Sequence, residues 1–388
     1  MRILFVSHSF PLPQQPLSNV GGMQRVAVEL HAALAQHSEV ELSSFVLETS
    51  WRWTAVRTPP FLLHALAAIP RRVRMDRIDV VLFSSMVTAS IAPLIHRRVR
   101  AAGALLAAIP VGRDVTLPNP IYQRLVPRIL KSLDLVLPIS RATAETCLSR
   151  GAVADRVRVV PCGTTFPSDP PAIDRSGKRS AVLDLLAERG CAPGPDALLL
   201  LSVGRHQERK GFHWFVEEVM PRAGQETVYL LAGSGPMAGA IQQAVERRGL
   251  GDRVILLGKV SEDTLQTLYA GADVFIMPNI PVPGDIEGFG VVMVEAGAAG
   301  LPVLAADLEG IRDVIAEGRN GRLLPTGDAG AFADALDDYR DRERLSTASL
   351  EAAAHVRSRF AWPAIANEHV QIFGEALKAS AKDRQPAP

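Results

Sequence analysis

The 388-residue chain is long enough for two or three domains, each with its own core. Its 42 Lys and Arg balance 41 Asp and Glu to a net +1, which argues against a surface given over to nucleic acid but leaves room for a local basic patch. With 47% hydrophobic and 21% charged residues the chain is not disordered, and three scattered cysteines (Cys147, Cys162, Cys191) argue against a disulfide framework or zinc site and fit a reducing compartment.

In chain order, Ile3–Val6 reads as a fully buried strand. The apolar start breaks at Ser7 and His8, too early for a signal-peptide core. A Pro-rich loop from Pro11 to Pro16 leads to Gly21-Gly22, and Met23, Val26, Leu30 and Leu34 then recur at helical spacing. Strands are expected at Val40–Val46, Val80–Phe83, Leu105–Ile109, Leu135–Ile139 and Val157–Val160, with helices between them. Pro167-Ser-Asp-Pro-Pro171 reads as a linker, and Ala181–Glu188 as a short helix. The alternation resumes with strands at Ala197–Val203, Val228–Leu231, Val254–Leu257, Val274–Met277 and Val303–Ala305. A last helix covers Trp362 to about Lys378, before a polar tail. Strands alternating with helices predict an α/β chain of two doubly wound, Rossmann-like domains, over 1–168 and 172–362, with 363–388 as a terminal helix and tail. No apolar run reaches the roughly 18 residues of a membrane span, so a cytoplasmic protein is expected.

In such sheets ligands bind beyond the carboxyl ends of the strands. After Val203 comes Gly204-Arg-His-Gln-Glu-Arg-Lys-Gly211, two glycines bracketing Arg205, Arg209 and Lys210. The loop suits an anion, although a solvated basic turn would look the same. Gly233-Ser-Gly235 follows the next strand; it suits a phosphate-facing turn or a plain tight connection, and is not a full dinucleotide fingerprint. After Met277 a Pro-rich loop ends in Glu287-Gly-Phe-Gly290, where a helix is expected to begin. Counting about 100° per residue from Glu287 puts Glu295 within roughly a quarter-turn of the same face. Among Val291, Val292, Val294 and Ala296, a carboxylate at Glu295 needs a partner, for which the vicinal hydroxyls of a ribose are suited.

Together these residues resemble the retaining nucleotide-sugar glycosyltransferases of the family 4, group 1 type, which have the GT-B fold with an active-site cleft between two Rossmann-like domains. The resemblance rests on the Gly21-Gly22 loop, on Gly204-Arg205 to Lys210-Gly211, and on Glu287 and Glu295 eight apart around Gly-Phe-Gly. Gly300-Leu-Pro302 and Gly318-Arg-Asn-Gly321 continue it. It implies catalytic roles for Arg205, Lys210 and Glu287. Arg205 and Lys210 would hold the donor diphosphate, with Gly204 and Gly233 close by. Glu295 would bind the ribose, and Glu287 with Phe289, Gly290 and Val291 the sugar. Lys259 and Val260 would meet the base. Gly22 would let the first loop approach the diphosphate, and the terminal helix would return to the first domain. The donor is a co-substrate, and no other cofactor is implied. No Asp-x-Asp pair occurs, so cations rather than a metal would neutralise the leaving group.

On the acceptor side, Ala107–Asp114 lacks the histidine that members of this family often carry there. His8, following the first strand, and Arg113 or Asp114 are the candidates. Cys162-Gly163 replaces a usual Asn-Gly, with Cys162 read as a packing residue. The acceptor is expected to be a glycan, a lipid-linked sugar or a small molecule, with no nucleic acid as partner. The aromatic and apolar run from Trp51 to Ile69, followed by Arg71, Arg72 and Arg74, suits either an anionic lipid surface or a core helix with a charged end. Arg97, Arg98 and Arg100 add a second basic cluster. A non-catalytic sugar-nucleotide binder, or an epimerase or phosphorylase on the same fold, stands as the alternative.

Overall fold

The computed structural model describes residues 1–12, 22–164, 166 and 176–382. Most of the Pro11–Pro16 loop, Gly21, the 167–171 linker and the tail from 383 onward lie outside the described residues.

The elements run β1 (Arg2–Phe10), α1 (Gly22–Gln36), β2 (Glu41–Glu48), α2 (Trp51–Met75), β3 (Val80–Phe83), α3 (Ala92–Ala101), β4 (Leu105–Ala108), α4 (Pro120–Ser132), β5 (Leu135–Val136) and α5 (Arg141–Ser149). There follow α6 (Ser176–Ala187), β6 (Leu198–Val203), the single turn α7 (Phe212–Trp214) running into a π-helical stretch, β7 (Thr227–Ala232), α8 (Ala238–Arg248), β8 (Val254–Gly258) and α9 (Glu262–Gly271). The chain ends with β9 (Val274–Met277), α10 (Val291–Ala298), β10 (Val303–Ala306), β11 (Gly321–Leu324), α11 (Ala329–Asp338), α12 (Arg342–Phe360) and α13 (Trp362–Lys382). It folds as two compact units, Met1–Thr165 with Phe360–Pro388, and Phe166–Arg359.

The first unit is built on a parallel sheet in the order β2-β1-β3-β4-β5. β1 lies inside the sheet, paired on both sides, and is buried from Ile3 to Ser9, as its apolar run requires. It continues to Phe10, so His8 lies within the strand, not after it, where the register with β2 shifts between Ser7 and Phe10. Helices α2, α3 and α4 share one core with the sheet through residues such as Ile69, Ile95 and Ile129. Asn119 caps α4, its side chain accepting from the Ile121 and Tyr122 amides, with Pro120 in the first turn. The expected strand at Val157–Val160 is only an isolated bridge, Val136 to Val157. β5 itself has only two ladder residues; past it the Leu137 and Ile139 amides still reach the Ala108 and Pro110 carbonyls, but Pro138 between them has no N–H to return toward Val157–Val160.

The unit is closed by the returning α13, which packs on α1. Trp362 Nε1 donates to Glu29 Oε2 at 2.8 Å, and its ring lies so close to Gly163 that a Cβ there would come within 2.5 Å of it. Cys162, beside that glycine, is buried, and burial pushes its thiol well above the ordinary range. That environment suits a packing residue rather than a nucleophile.

The second unit has six parallel strands in the order β11-β10-β9-β6-β7-β8. From β6 the chain steps outward to β7 and β8, then returns to β9 on the other side of β6. The direction of winding therefore reverses between β6 and β9, where the carboxyl-end loops of two adjacent strands part. The core beneath is aromatic, with Phe215 packed on Tyr229 and Phe332. β11 is a strand that the sequence hides as a turn, since Gly318, Asn320 and Gly321 flank or open it.

Candidate donor site at the switch point of the second sheet

Two loops leave that point, 204–211 after β6 and 278–290 after β9. Gly211 lies between them in the left-handed region, at φ +67°, and a Cβ on it would stand 1.9 Å from the Pro278 carbonyl oxygen. Only glycine permits this approach. The Ile280 amide donates to the Arg209 carbonyl at 3.0 Å and locks the two loops together.

The clamp places three donors on one carboxylate oxygen. Arg209 Nη1, Lys210 Nζ and Asn279 Nδ2 reach Glu287 Oε2 at 2.5, 2.6 and 3.2 Å. Arg209 also pairs with Asp285, Nε to Oδ1, at 3.2 Å. Lys210 and Glu287 are both buried. Burial alone would raise the Glu287 carboxyl, but Lys210 and Arg209 outweigh it and hold the group below the usual carboxylate range. Burial pushes Lys210 below the ordinary lysine range, and Glu287 pulls it part of the way back. A buried charge with its partner removed costs about 3–5 kcal/mol, so these groups stand or fall together.

A third loop, after β10, supports the second. Glu309 accepts the Glu287 amide proton on Oε2, and the Gly310 amide donates to the Glu287 carbonyl at 3.2 Å. Glu309 does so at φ +47°, a conformation that strains a residue with a Cβ by about 1–2 kcal/mol. Gly310 is pressed so near Gly288 that a Cβ would lie 2.1 Å from its carbonyl oxygen. Burial first, then the neighbouring Glu287, pushes the Glu309 carboxyl up.

Other sequence candidates fall around this cluster. Glu287 is not helical: it lies in the loop ahead of α10, so the helical-face relation drawn between it and Glu295 does not hold. Gly290 caps α10 at φ +76°, Phe289 is buried beside it, and Val291 opens the helix. Glu295, half-buried on α10, accepts from the Tyr269 hydroxyl at 3.0 Å, a partner supplied by α9. Gly204 and Gly233 follow adjacent strands, the Gly204 amide bonded to Ala232 and the Gly233 amide to Gly258. Arg205 is exposed. Lys259 is exposed and Val260 half-buried, just past β8. His206 is buried, both ring nitrogens lacking a partner among the described residues, and burial lowers its pKa. Its backbone ties the β6 loop to Ser234 and Met237.

In the first unit, Gly22 is the first residue of α1. His8 is buried, with Nδ1 unpartnered among the described residues, and burial brings its pKa down to about 4. Arg113 is exposed, and Asp114 is buried with its oxygens on the Met86 and Val111 amides, at 2.9 and 2.8 Å. Asp114 is thus a loop brace, and burial raises its pKa to about 6. Four contributors to the cluster were not singled out as site residues: Arg209, Asn279, Asp285 and Glu309. The basic pair before Gly211 signalled Arg209, whereas no local pattern marks the others.

Residues 197–341, which contain all these loops, match the family model described as Glycosyl transferases group 1. A D-inositol 3-phosphate glycosyltransferase of Xylanimonas cellulosilytica is 31% identical over 307 residues, 76% of this chain and 68% of that protein. The chain belongs to the group 1 glycosyl transferases. A protein of the same name from Nocardia farcinica is 29% identical over 297 residues, and the match spans 74% of this group 1 chain but only 62% of the relative's length. Among solved structures, Anabaena HepE in complex with UDP aligns with a TM-score of 0.68 at 18% identity, over 97% of this chain and 100% of that one. That likeness shows the fold, and the two parallel α/β units of this group 1 member are those of GT-B.

Proposed function

We propose that the protein is a retaining glycosyltransferase, which moves a sugar from a nucleotide diphosphate sugar to an acceptor hydroxyl without a metal. The observation that carries this reading is the convergence of Arg209, Lys210 and Glu287 where the second sheet reverses its winding. Breaking the bond between sugar carbon and phosphate oxygen leaves negative charge on the diphosphate and positive charge on the sugar. Lys210 and Arg205 take the first, and Glu287, with the amides of Phe289 and Gly290 at the start of α10, holds the sugar. Arg209 and Lys210 are already balanced by Asp285 and Glu287. Arg205, exposed on the same loop, therefore brings the charge not yet spent. Glu295 receives the ribose hydroxyls beside Tyr269, and Lys259 and Val260 border the base.

The acceptor oxygen forms its bond to the sugar on the face that the diphosphate leaves, and its proton passes to the departing phosphate oxygen. UDP is the first nucleotide to offer, because the HepE structure contains it. The acceptor belongs to glycans, lipid-linked sugars or small molecules, and the protein works in the cytoplasm or at a membrane surface.

Calorimetric titration with nucleotide sugars tests the reading. Lys210→Ala and Glu295→Ala should each weaken donor binding or turnover at least tenfold, about 1.4 kcal/mol, with the circular dichroism spectrum unchanged. Unaltered binding in both would show that the donor sits elsewhere. Tight donor binding without transfer to any acceptor offered would favour a sugar-nucleotide binder instead.

A further inference from the structure

The net charge of +1 conceals a division between the two units. The first holds 22 Lys and Arg against 13 Asp and Glu, a net +9; the second holds 20 against 28, a net −8. Within the first unit the excess lies on α2, α3 and α4. Over their 25, 10 and 13 residues these helices carry eleven Lys and Arg and no Asp or Glu. They pack side by side on one face of the sheet, α2 against α3 and α3 against α4, and their cations share one outer layer. Helices α1 and α13, packed on each other elsewhere in the unit, carry both signs.

Nine of the eleven cations are exposed, and among the described residues none of the nine pairs with a carboxylate. The other two, Arg72 and Arg100, are half-buried and bonded to Asp76 and Asp134. The same outer layer also carries exposed apolar side chains. On α2, Thr54, Thr58, Ala65, Ile69 and Val73 are buried, at steps of four and seven residues that keep them on one face. The opposite stripe carries Trp53, Val56 and Leu63, which are 56%, 65% and 68% exposed, and ends in Arg71 and Arg74. Leu94 of α3 and Ile121 of α4 extend it, at 69% and 71% exposure. Folding leaves such groups in water only at a cost, and five of them on the outer side of three adjacent helices, among nine exposed cations, point to an interaction surface.

We propose that the outer face of α2, α3 and α4 docks on an anionic lipid bilayer. A lipid interface takes both halves of this surface at once: cations meet headgroup phosphates, while Trp53, Val56, Leu63, Leu94 and Ile121 enter the boundary below them. A nucleic acid backbone would engage the cations and leave the apolar stripe wet. No described helix is long and apolar enough to cross a membrane, so the contact is peripheral. The docking stands on the first unit's surface and does not depend on the reaction proposed for the second.

Co-sedimentation of the full chain with vesicles tests it, comparing phosphatidylcholine containing phosphatidylglycerol with phosphatidylcholine alone. Binding is expected to the anionic vesicles at low salt, to fall at high salt, and to blue-shift the tryptophan emission by an amount that Trp53→Ser reduces. The exposed substitutions Arg71→Glu with Arg74→Glu, and separately Trp53→Ser with Leu63→Ser, should each lower the partition at least tenfold, while nucleotide-sugar titration remains that of the unaltered protein. Absence of binding at low salt, equal binding to neutral vesicles, or full binding by both double variants overturns the proposal. So does tight association with duplex DNA that survives Trp53→Ser with Leu63→Ser.

Discussion

Glu287 is the residue on which the cluster turns, because one of its oxygens accepts from Arg209, Lys210 and Asn279. Its pKa is depressed in the folded chain, so its contribution to stability is complete above the unfolded value of about 4.3 and is lost as pH falls through the folded one. Glu287→Gln should remove that part of the acid dependence and also leave Lys210 without its carboxylate and Arg209 with Asp285 alone. Denaturant titration across the acid range checks both: the variant should be less stable at neutral pH, and the difference should shrink on acidification. Glu309 offers a separate test. Replacing it with glycine relieves about 1 kcal/mol of left-handed strain but deletes the acceptor of the Glu287 amide. Glu309→Gly should therefore melt within a few degrees of the unaltered chain while its KM for the donor rises severalfold. A lower KM would refute a supporting role for Glu309.

At the scale of elements, the site depends on how closely two loops approach rather than on either loop's residues alone. The β6 and β9 loops touch at Gly211, where a methyl group would meet the Pro278 carbonyl. Gly211→Ala should force them apart and cost donor affinity tenfold or more, with the strands intact by circular dichroism. An unchanged titration isotherm would show that the clamp is dispensable. The helix capped by Gly290 was legible because Gly-Phe-Gly precedes an apolar segment broken only by Glu295, and the strands of both sheets because Val, Leu and Ile cluster in short runs. Two short segments defeat local pattern in opposite senses: 157–160 has the apolar composition of a strand but makes a single bridge beside Pro138, whereas the four-residue β11 is hidden by the glycines around Gly321.

For the whole molecule, a donor that binds only the folded form must raise its melting temperature, by about 2.7 kcal/mol of added stability at a hundredfold excess over Kd. A thermal-shift comparison of UDP-, GDP- and ADP-linked sugars should single out one nucleotide, and the shift should vanish in Lys210→Ala. A uniform lack of response would remove the donor site. The class of fold is written in local pattern, since alternating apolar runs and helical periods admit only covered parallel sheets. The sequence also drew Lys210 and Glu287 from the ends of two strands, since chemistry at such ends is a local pattern. That these two residues meet, with Arg209, Asn279 and Glu309 around them, is a property of the folded chain. That meeting requires β9 to lie beside β6, although β7 and β8 intervene in the chain. Strand order is set by long-range packing, and no local periodicity encodes it. The basic, apolar face of α2 to α4 was likewise undecided, because a helix of that composition fits a core or a lipid surface until its neighbours show which side they cover.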